Sequence, residues 1–140
     1  AAASTNNAIG IASSGNSCSF IAVKCTNDNT LNPSLMDSPY EGVTYAIAAG
    51  AQVISMSWGT TFPTQLSYEI IARARSLGII LVAAAGNRND AVFSYPAAYG
   101  SAGSFTPSPL YPGILHPMTS LVIAVASSDG INASGIIPKC

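Results

Sequence analysis

The chain has 140 residues, 49% of them hydrophobic and only 8% charged, where ordinary soluble domains carry about 25% charged residues. Five basic and six acidic side chains sum to −1, which excludes a basic nucleic-acid patch and an acidic disordered tail. Positions 42–68 and 91–128 hold no charge, but Gly, Pro, Ser, Thr and Gln interrupt every apolar run before the roughly 20 residues that a membrane-spanning helix needs. The length suits one domain with a real core. The low charge, the start at Ala1 and the end at Cys140 read together as the inside of something larger.

The elements follow in chain order. Ser19-Phe20-Ile21-Ala22-Val23-Lys24 reads as a strand. It is bracketed by Cys18 and Cys25, and a strand of that length, roughly 23 Å, keeps the two sulfurs from bonding. Three cysteines without a Cys-x-x-Cys pair, beside a single histidine, argue against zinc and for buried small side chains, and the odd count leaves room for a bridge to sequence outside 1–140. After a polar loop over 26–33, the apolar positions Met36, Tyr40, Val43 and Ile47 form one helical stripe, and Gly50 suits the residue just past the helix end. Either Ser38-Pro39-Tyr40-Glu41 or Asn32-Pro33-Ser34 fits the helix start. A strand over 52–57 comes next. A second helix is capped by Thr64, buries Leu66, Ile70, Ala74 and Leu77, carries a Glu69–Arg73 pair and closes at Gly78. The stretch 79–84 is apolar throughout, as a strand covered on both faces is. Positions 100–120 hold four prolines and no apolar period, marking a loop insertion, and 121–126 reads as a last strand. Alternating strands and helices predict an α/β fold with a parallel sheet.

In such sheets function gathers at the carboxyl ends of the strands. Two ends are unusually small: Ser55-Met56-Ser57-Trp58-Gly59 and Ala83-Ala84-Ala85-Gly86-Asn87. The Asn87 amide suits an oxyanion donor, and Gly-Asn equally suits an ordinary turn.

Several blocks together resemble one family. Gly42-Val43-Thr44-Tyr45-Ala46-Ile47-Ala48-Ala49-Gly50-Ala51-Gln52-Val53-Ile54-Ser55-Met56-Ser57-Trp58-Gly59 is similar to the helix and substrate-binding strand of subtilisin-like serine proteases. Leu81-Val82-Ala83-Ala84-Ala85-Gly86-Asn87 resembles that family's oxyanion-hole strand. Tyr95-Pro96-Ala97-Ala98-Tyr99 and Val122-Ile123-Ala124-Val125-Ala126 match the next two segments. Asn6-Asn7-Ala8-Ile9-Gly10-Ile11 and Phe20-Ile21-Ala22-Val23-Lys24 match the loop and strand that follow the catalytic-histidine helix. The blocks occur in family order over 1–129.

The resemblance implies a three-layer parallel α/β sheet with helices on both faces, present here in part, so that 1–140 is a partial peptidase domain. It implies that Asn87 donates to the tetrahedral oxyanion and that Ser57, Trp58 and Gly59 pair with the backbone of a peptide or protein substrate as an added strand. Ala84, Ala85 and Gly86 form the opposite wall of the pocket for the side chain before the scissile bond. Walls so small suggest a roomy, apolar-tolerant pocket. The Tyr95-Pro96 bond matches a cis position. Asn7, with the carbonyls of Thr5, Ile9 and Ile11, matches a structural calcium loop, although calcium takes six to eight oxygens and the upstream ligands are not in the sequence. An extracellular location is implied as well.

The departures concern the reaction itself. The triad is a serine nucleophile, a histidine base and an orienting aspartate. The histidine motif, His-Gly-Thr-His, belongs before Ala1, and the serine motif, Gly-Thr-Ser-Met-Ala, after Cys140. The aspartate strand lies further upstream, and none of the three is present. The single histidine, His116, sits in the insertion-like loop, and residues 135–140 leave the family pattern. Asp28, Asp37 and Asp129 read as turn or cap residues, Arg88 and Asp90 as a local pair, and Asn132-Ala133-Ser134 as a chance sequon. Trp58 suits the core as well as the cleft. The expected function is a segment of a serine endopeptidase that is inactive alone. The alternatives are a catalytically dead peptide-binding module of the same fold, and a small-ligand α/β domain that no phosphate-cradling glycine loop supports.

Overall fold

The computed structural model describes residues 3, 5–15, 17–29, 31–32, 35–87, 94–100 and 120–126. The expected insertion over 100–120, His116, Arg88, Asp90, Asp129, the sequon at 132–134 and Cys140 lie wholly or mainly outside them. The elements are α1 (Pro39–Ala48), β1 (Val53–Met56), α2 (Gln65–Ser76), β2 (Ile80–Ala84), a 3-10 turn at Ala97–Gly100 and β3 (Ile123–Val125).

Both helices begin and end as the sequence directs. Ser38 precedes α1 with Pro39 in the first turn, which selects Ser38-Pro39 over Asn32-Pro33 as the start, but the Ser38 side chain makes no capping hydrogen bond, so the expected capping box does not form. Thr64 caps α2 in a reciprocal box: its side chain accepts from the Ser67 amide, and Ser67 Oγ accepts from the Thr64 amide. Each helix closes the same way. Gly50 N–H donates to Ile47 O and Ala51 N–H to Ala46 O; Gly78 N–H donates to Arg75 O and Ile79 N–H to Ala74 O. Gly50 and Gly78 hold φ of 79° and 80°, where any β-carbon is strained. These turns send the chain straight into β1 and β2.

The sheet order is β1-β2-β3, all parallel. Alternation along the strands sends Ile54, Met56, Leu81 and Ala83 into the core, where they meet Val43 and Ala46 of α1 and Ile71 and Ala74 of α2. The α/β parallel fold expected from the sequence is therefore present. Its other sheet face is open among the described residues. Val53, Ile80, Ile123 and Val125 are 57%, 47%, 56% and 52% exposed, and the register sets Val53 beside Ile80 and Val82 beside Ile123. The strand-like apolarity of 79–84 is matched by cover on one face only.

Four local expectations need correction. Residues 19–24 form no strand, because no neighbouring strand supplies a ladder among the described residues. The segment is held instead at Cys25, whose carbonyl accepts from the Asp37 and Ser38 amides at 3.1 and 3.2 Å. Cys18 and Cys25 are free thiols. Gly42 lets α1 approach this segment, since a β-carbon there would collide with Cys25 Sγ. Met36 lies outside α1. The buried face of α2 is turned by one residue: Ser67, Ile71 and Ala74 are buried, whereas Leu66 and Leu77 are 63% and 49% exposed. Glu69 accepts from Gln65 Nε2 at 2.7 Å; the ion pair of the described residues is Lys24–Asp28, not Glu69–Arg73.

A polar contact explains the turned face of α2. Ser67 Oγ lies 3.0 Å from Tyr99 Oη in the interior, and a buried hydroxyl without a partner is costly. The Tyr99 ring meets Tyr95 at 4.9 Å and Tyr68 at 5.7 Å between centroids. Burial pushes the Tyr99 hydroxyl well above its usual range, and the Ser67 hydrogen bond offsets part of that shift.

Two outcomes follow. The open apolar face makes the isolated 140-residue chain bind a hydrophobic dye and melt over a broad range; a sharp cooperative melt of a purified monomer contradicts this. The second concerns Tyr99, which the fold holds neutral. Its stabilising contribution is complete below the ordinary tyrosine value of about 10 and is lost as pH rises toward the folded-state value. Ultraviolet titration of folded protein should show a late-ionising phenol that Tyr99→Phe removes. An unchanged titration curve rules out this placement of Tyr99.

Candidate functional site

Because β1 and β2 are parallel and paired Met56 to Ala83, the chain leaves both strands at the same sheet edge. Residues 57–59 and 84–87 therefore run side by side as two ribbons. Ser57, Gly59, Ala85, Gly86 and Asn87 are exposed, and Trp58 and Ala84 are half-buried. Every one of these positions was singled out in the sequence, and the structure brings them to one edge.

Each ribbon is fixed from outside the pair. The 84–86 ribbon continues the sheet for one more bond, Ala85 N–H donating to Val125 O at 2.8 Å. The 57–59 ribbon is held at its far end by a two-bond antiparallel bridge. Thr60 N–H donates to Tyr95 O at 2.9 Å, and Tyr95 N–H to Thr60 O at 2.8 Å. Tyr95 also packs its ring into the core, and burial raises its hydroxyl above the ordinary range. The Tyr95-Pro96 bond is cis, as the motif implied. Trp58 leans inward: its ring meets the edge of Tyr40 at 5.0 Å and packs on the core, so its side chain braces the ribbon from behind.

One residue at this edge escaped the sequence reading. Ser94, immediately before Tyr95, reaches between the ribbons. Its Cβ lies 3.6 Å from where a β-carbon would stand on Gly59 and 3.6 Å from one on Gly86. On Gly59 that β-carbon would collide with Ser94 Oγ. The two glycines are thus the positions at which the ribbons make room for this side chain. The only signal available was that Ser94 directly precedes the Tyr95-Pro96 motif.

The candidate calcium loop lies apart from this edge in sequence. Asn6, Ala8 and Gly10 alternate with φ of 56°, 59° and 70°, and the loop curls round a small hollow lined by Thr5, Asn7, Ile9 and neighbours. Left-handed φ at Ala8 costs about 1–2 kcal/mol. Asn7 Oδ1 accepts from the Ile9 amide at 3.1 Å. Thr5, Asn7, Ile9 and Ile11 offer four uncharged oxygens. They fit calcium in kind and fall short of it in number. Among the described residues no three His, Cys, Asp or Glu side chains cluster as a metal site.

No helix of the described residues is long and apolar enough to cross a membrane. Comparison with known proteins gives one answer. The sequence model of the subtilase family matches residues 1–136. Thermitase of Thermoactinomyces vulgaris is 36% identical over 102 residues, 73% of this chain and 36% of that protein. A thermostable alkaline protease of Halalkalibacterium halodurans is 34% identical over 97 residues, 69% of this chain and 26% of that protein. Subtilisin BL of Lederbergia lenta is 31% identical over 100 residues, 71% of this chain and 36% of that protein. The chain thus spans about a third or less of the length of these relatives. Ordered motifs, a parallel sheet with two ribbons at one edge and a family match over nearly every residue make this chain a member of the subtilase family.

Proposed function

We propose that this chain is the substrate-binding and oxyanion-stabilising part of a serine endopeptidase, and that the Asp/His/Ser triad is supplied by sequence outside 1–140. The observation that carries this reading is the pair of parallel ribbons, 57–59 and 84–87, leaving one sheet edge in a subtilase chain. An extended peptide laid along Ser57, Trp58 and Gly59 gains main-chain hydrogen bonds as an added strand. Its side chain before the scissile bond enters between that ribbon and Ala84, Ala85 and Gly86. The Asn87 amide donates to the oxygen that becomes negative as the carbonyl is attacked, and there it contributes only once the charge has formed.

The name of one relative, the minor extracellular protease Epr of Bacillus subtilis, supports an extracellular setting. The 5–11 loop is assigned to structural calcium, with Asn7 Oδ1 and the carbonyls of Thr5, Ile9 and Ile11 as part of a ligand set completed from elsewhere. Calcium bound there would brace the loop.

The 140 residues alone should release no product from a chromogenic peptide. Turnover that survives both Asn87→Ala and a serine-directed inhibitor removes the assignment. In the longer protein, Asn87→Ala should lower kcat about a hundred- to a thousandfold with KM little changed, because the lost donor acts in the transition state. An equal loss in KM instead would mark Asn87 as a ground-state contact. For the loop, calcium should raise the melting temperature of the longer protein, and Asn7→Ala should diminish that rise. A melting temperature indifferent to calcium and to chelator eliminates the site.

A further inference from the structure

We propose that Ser67 is a positioning residue for peptide binding: through Tyr99 and Tyr95 it holds the Thr60 end of the 57–59 ribbon in the line along which an extended peptide pairs. The proposal rests on the peptide-accepting reading above and deepens it by naming what fixes that ribbon.

Hydrophobicity alone would not put a serine in the interior here. Ser67 is 1% exposed, while its neighbour Leu66 is 63% exposed. Turning α2 by one residue would bury the larger side chain and remove more apolar surface from water. A fold that forgoes this for a polar contact breaks a local rule, and such departures collect at sites that serve function. The Ser67 hydroxyl is fully used. Its one hydrogen goes to Thr64 O at 2.7 Å, and one lone pair accepts from the Thr64 amide at 3.0 Å. A serine oxygen then has a single lone pair left. Tyr99 Oη, 3.0 Å away, is therefore the donor to it. A serine that served only as a cap would end its influence at Thr64. This one also fixes the polar end of a ring from the 3-10 turn.

The ribbon depends on that ring. Three residues lie between the last ladder pair, Met56 with Ala83, and the Thr60–Tyr95 bridge, and one of them is Gly59. Glycine adds backbone freedom, and a peptide pairing with a loose ribbon would lose affinity to the entropy of ordering it. The bridge is only as fixed as Tyr95. Tyr95 packs on Tyr99 at 4.9 Å between ring centroids, and Ser67 ties Tyr99 to the start of α2.

Removing one such hydrogen bond shifts an equilibrium by about two- to tenfold. The loss should depend on substrate length. One extended residue spans about 3.3 Å and the three-residue ribbon about 10 Å, so a single-residue ester does not reach the Thr60 end and a tetrapeptide does.

The test uses the longer protein that contains this segment, with Ser67→Ala, Tyr99→Phe and the double variant. Tyr99→Phe keeps the Thr64–Ser67 box and removes only the link. The readouts are KM and kcat for an N-acyl tetrapeptide anilide, the same constants for an N-acyl single-residue ester, and equilibrium binding of the tetrapeptide acid, which needs no triad. Each single variant should raise the tetrapeptide KM and Kd by about two- to tenfold, with kcat and the ester constants little changed. The double variant should match the single ones, because both break the same contact. An equal loss on both substrates overturns the proposal, since a merely structural defect is blind to length. A loss confined to Ser67→Ala overturns it too and marks a helix cap alone, as do folded variants that bind and cleave like the wild type. Should Ser67→Ala fail to fold, Tyr99→Phe decides: a length-dependent loss upholds the proposal and its absence overturns it. A wild type that binds the tetrapeptide but cleaves nothing, with binding weakened in both variants, overturns the endopeptidase reading and upholds Ser67. A wild type that binds no tetrapeptide overturns both.

Discussion

The parallel pairing of β1 with β2 is the constraint on which the site depends. Met56 lies opposite Ala83, so Ser57 and Ala84 leave the sheet together and on the same side of the molecule. Had the pair been antiparallel, the two ribbons would have emerged at opposite edges and no peptide could touch both. The register is set by the helices rather than by the strands. Each helix ends in a glycine turn that places the first strand residue two or three positions later, and Ile80 N–H then bonds Gln52 O at 3.0 Å to start the ladder. Parallel strands cannot be joined by a tight turn; they need a crossover of the α2 kind. The site thus inherits its geometry from two helix caps and one crossover.

A second layer of restraint runs from α2 to the ribbon through aromatic rings. Ser67 completes the cap of α2 and touches Tyr99; Tyr99 packs on Tyr95; Tyr95 pairs with Thr60, which ends the 57–59 ribbon. Trp58 is braced by Tyr40 at the start of α1. Both helix N-termini therefore buttress the same ribbon. The opposite ribbon has a simpler support, the extension of the sheet through Ala85 to Val125. An extended peptide needs a rigid strand to pair with, since each hydrogen bond to a mobile backbone would be offset by the entropy of ordering it.

Much of this was legible in the sequence because it depends on local rules. Pro39 after Ser38, Thr64 before an apolar run, and glycines at 50 and 78 are local signals, and the structure follows each of them. The strand ends that collect at one edge were legible for the same reason: small residues after an apolar run mark a place where another chain can approach. What was not legible required knowledge of a partner. Residues 19–24 have strand composition, but a strand is defined by its neighbour, and among the described residues it has none. The buried face of α2 was misread because large apolar side chains at 66, 70 and 77 outweigh a serine in any hydrophobic count. The structure buries Ser67 because Tyr99, 32 residues away, supplies its hydrogen-bond partner. Ser94 was invisible for a similar reason. Its importance lies in the space between two other segments, and no pattern along the chain encodes that space.

The open sheet face links the fold back to the composition. All charges outside the ends of the sequence fall at 24–41 and 69–90, and none lies within β1, β2 or β3. Val53, Ile80, Val82, Ile123 and Val125 form an adjacent apolar set on the face away from α1 and α2. Parallel sheets with one face in water are rare because their strands lack the polar alternation that water requires. The apolar reading of 79–84 as a strand covered on both sides is thus correct about what the sequence demands, while α1 and α2 meet that demand on one side only. A single physical cause accounts for three observations: the scarcity of charge, the exposed valines and isoleucines, and a match that covers about a third or less of each relative. These strands are written for the interior of a three-layer domain, and the described residues supply two of its layers.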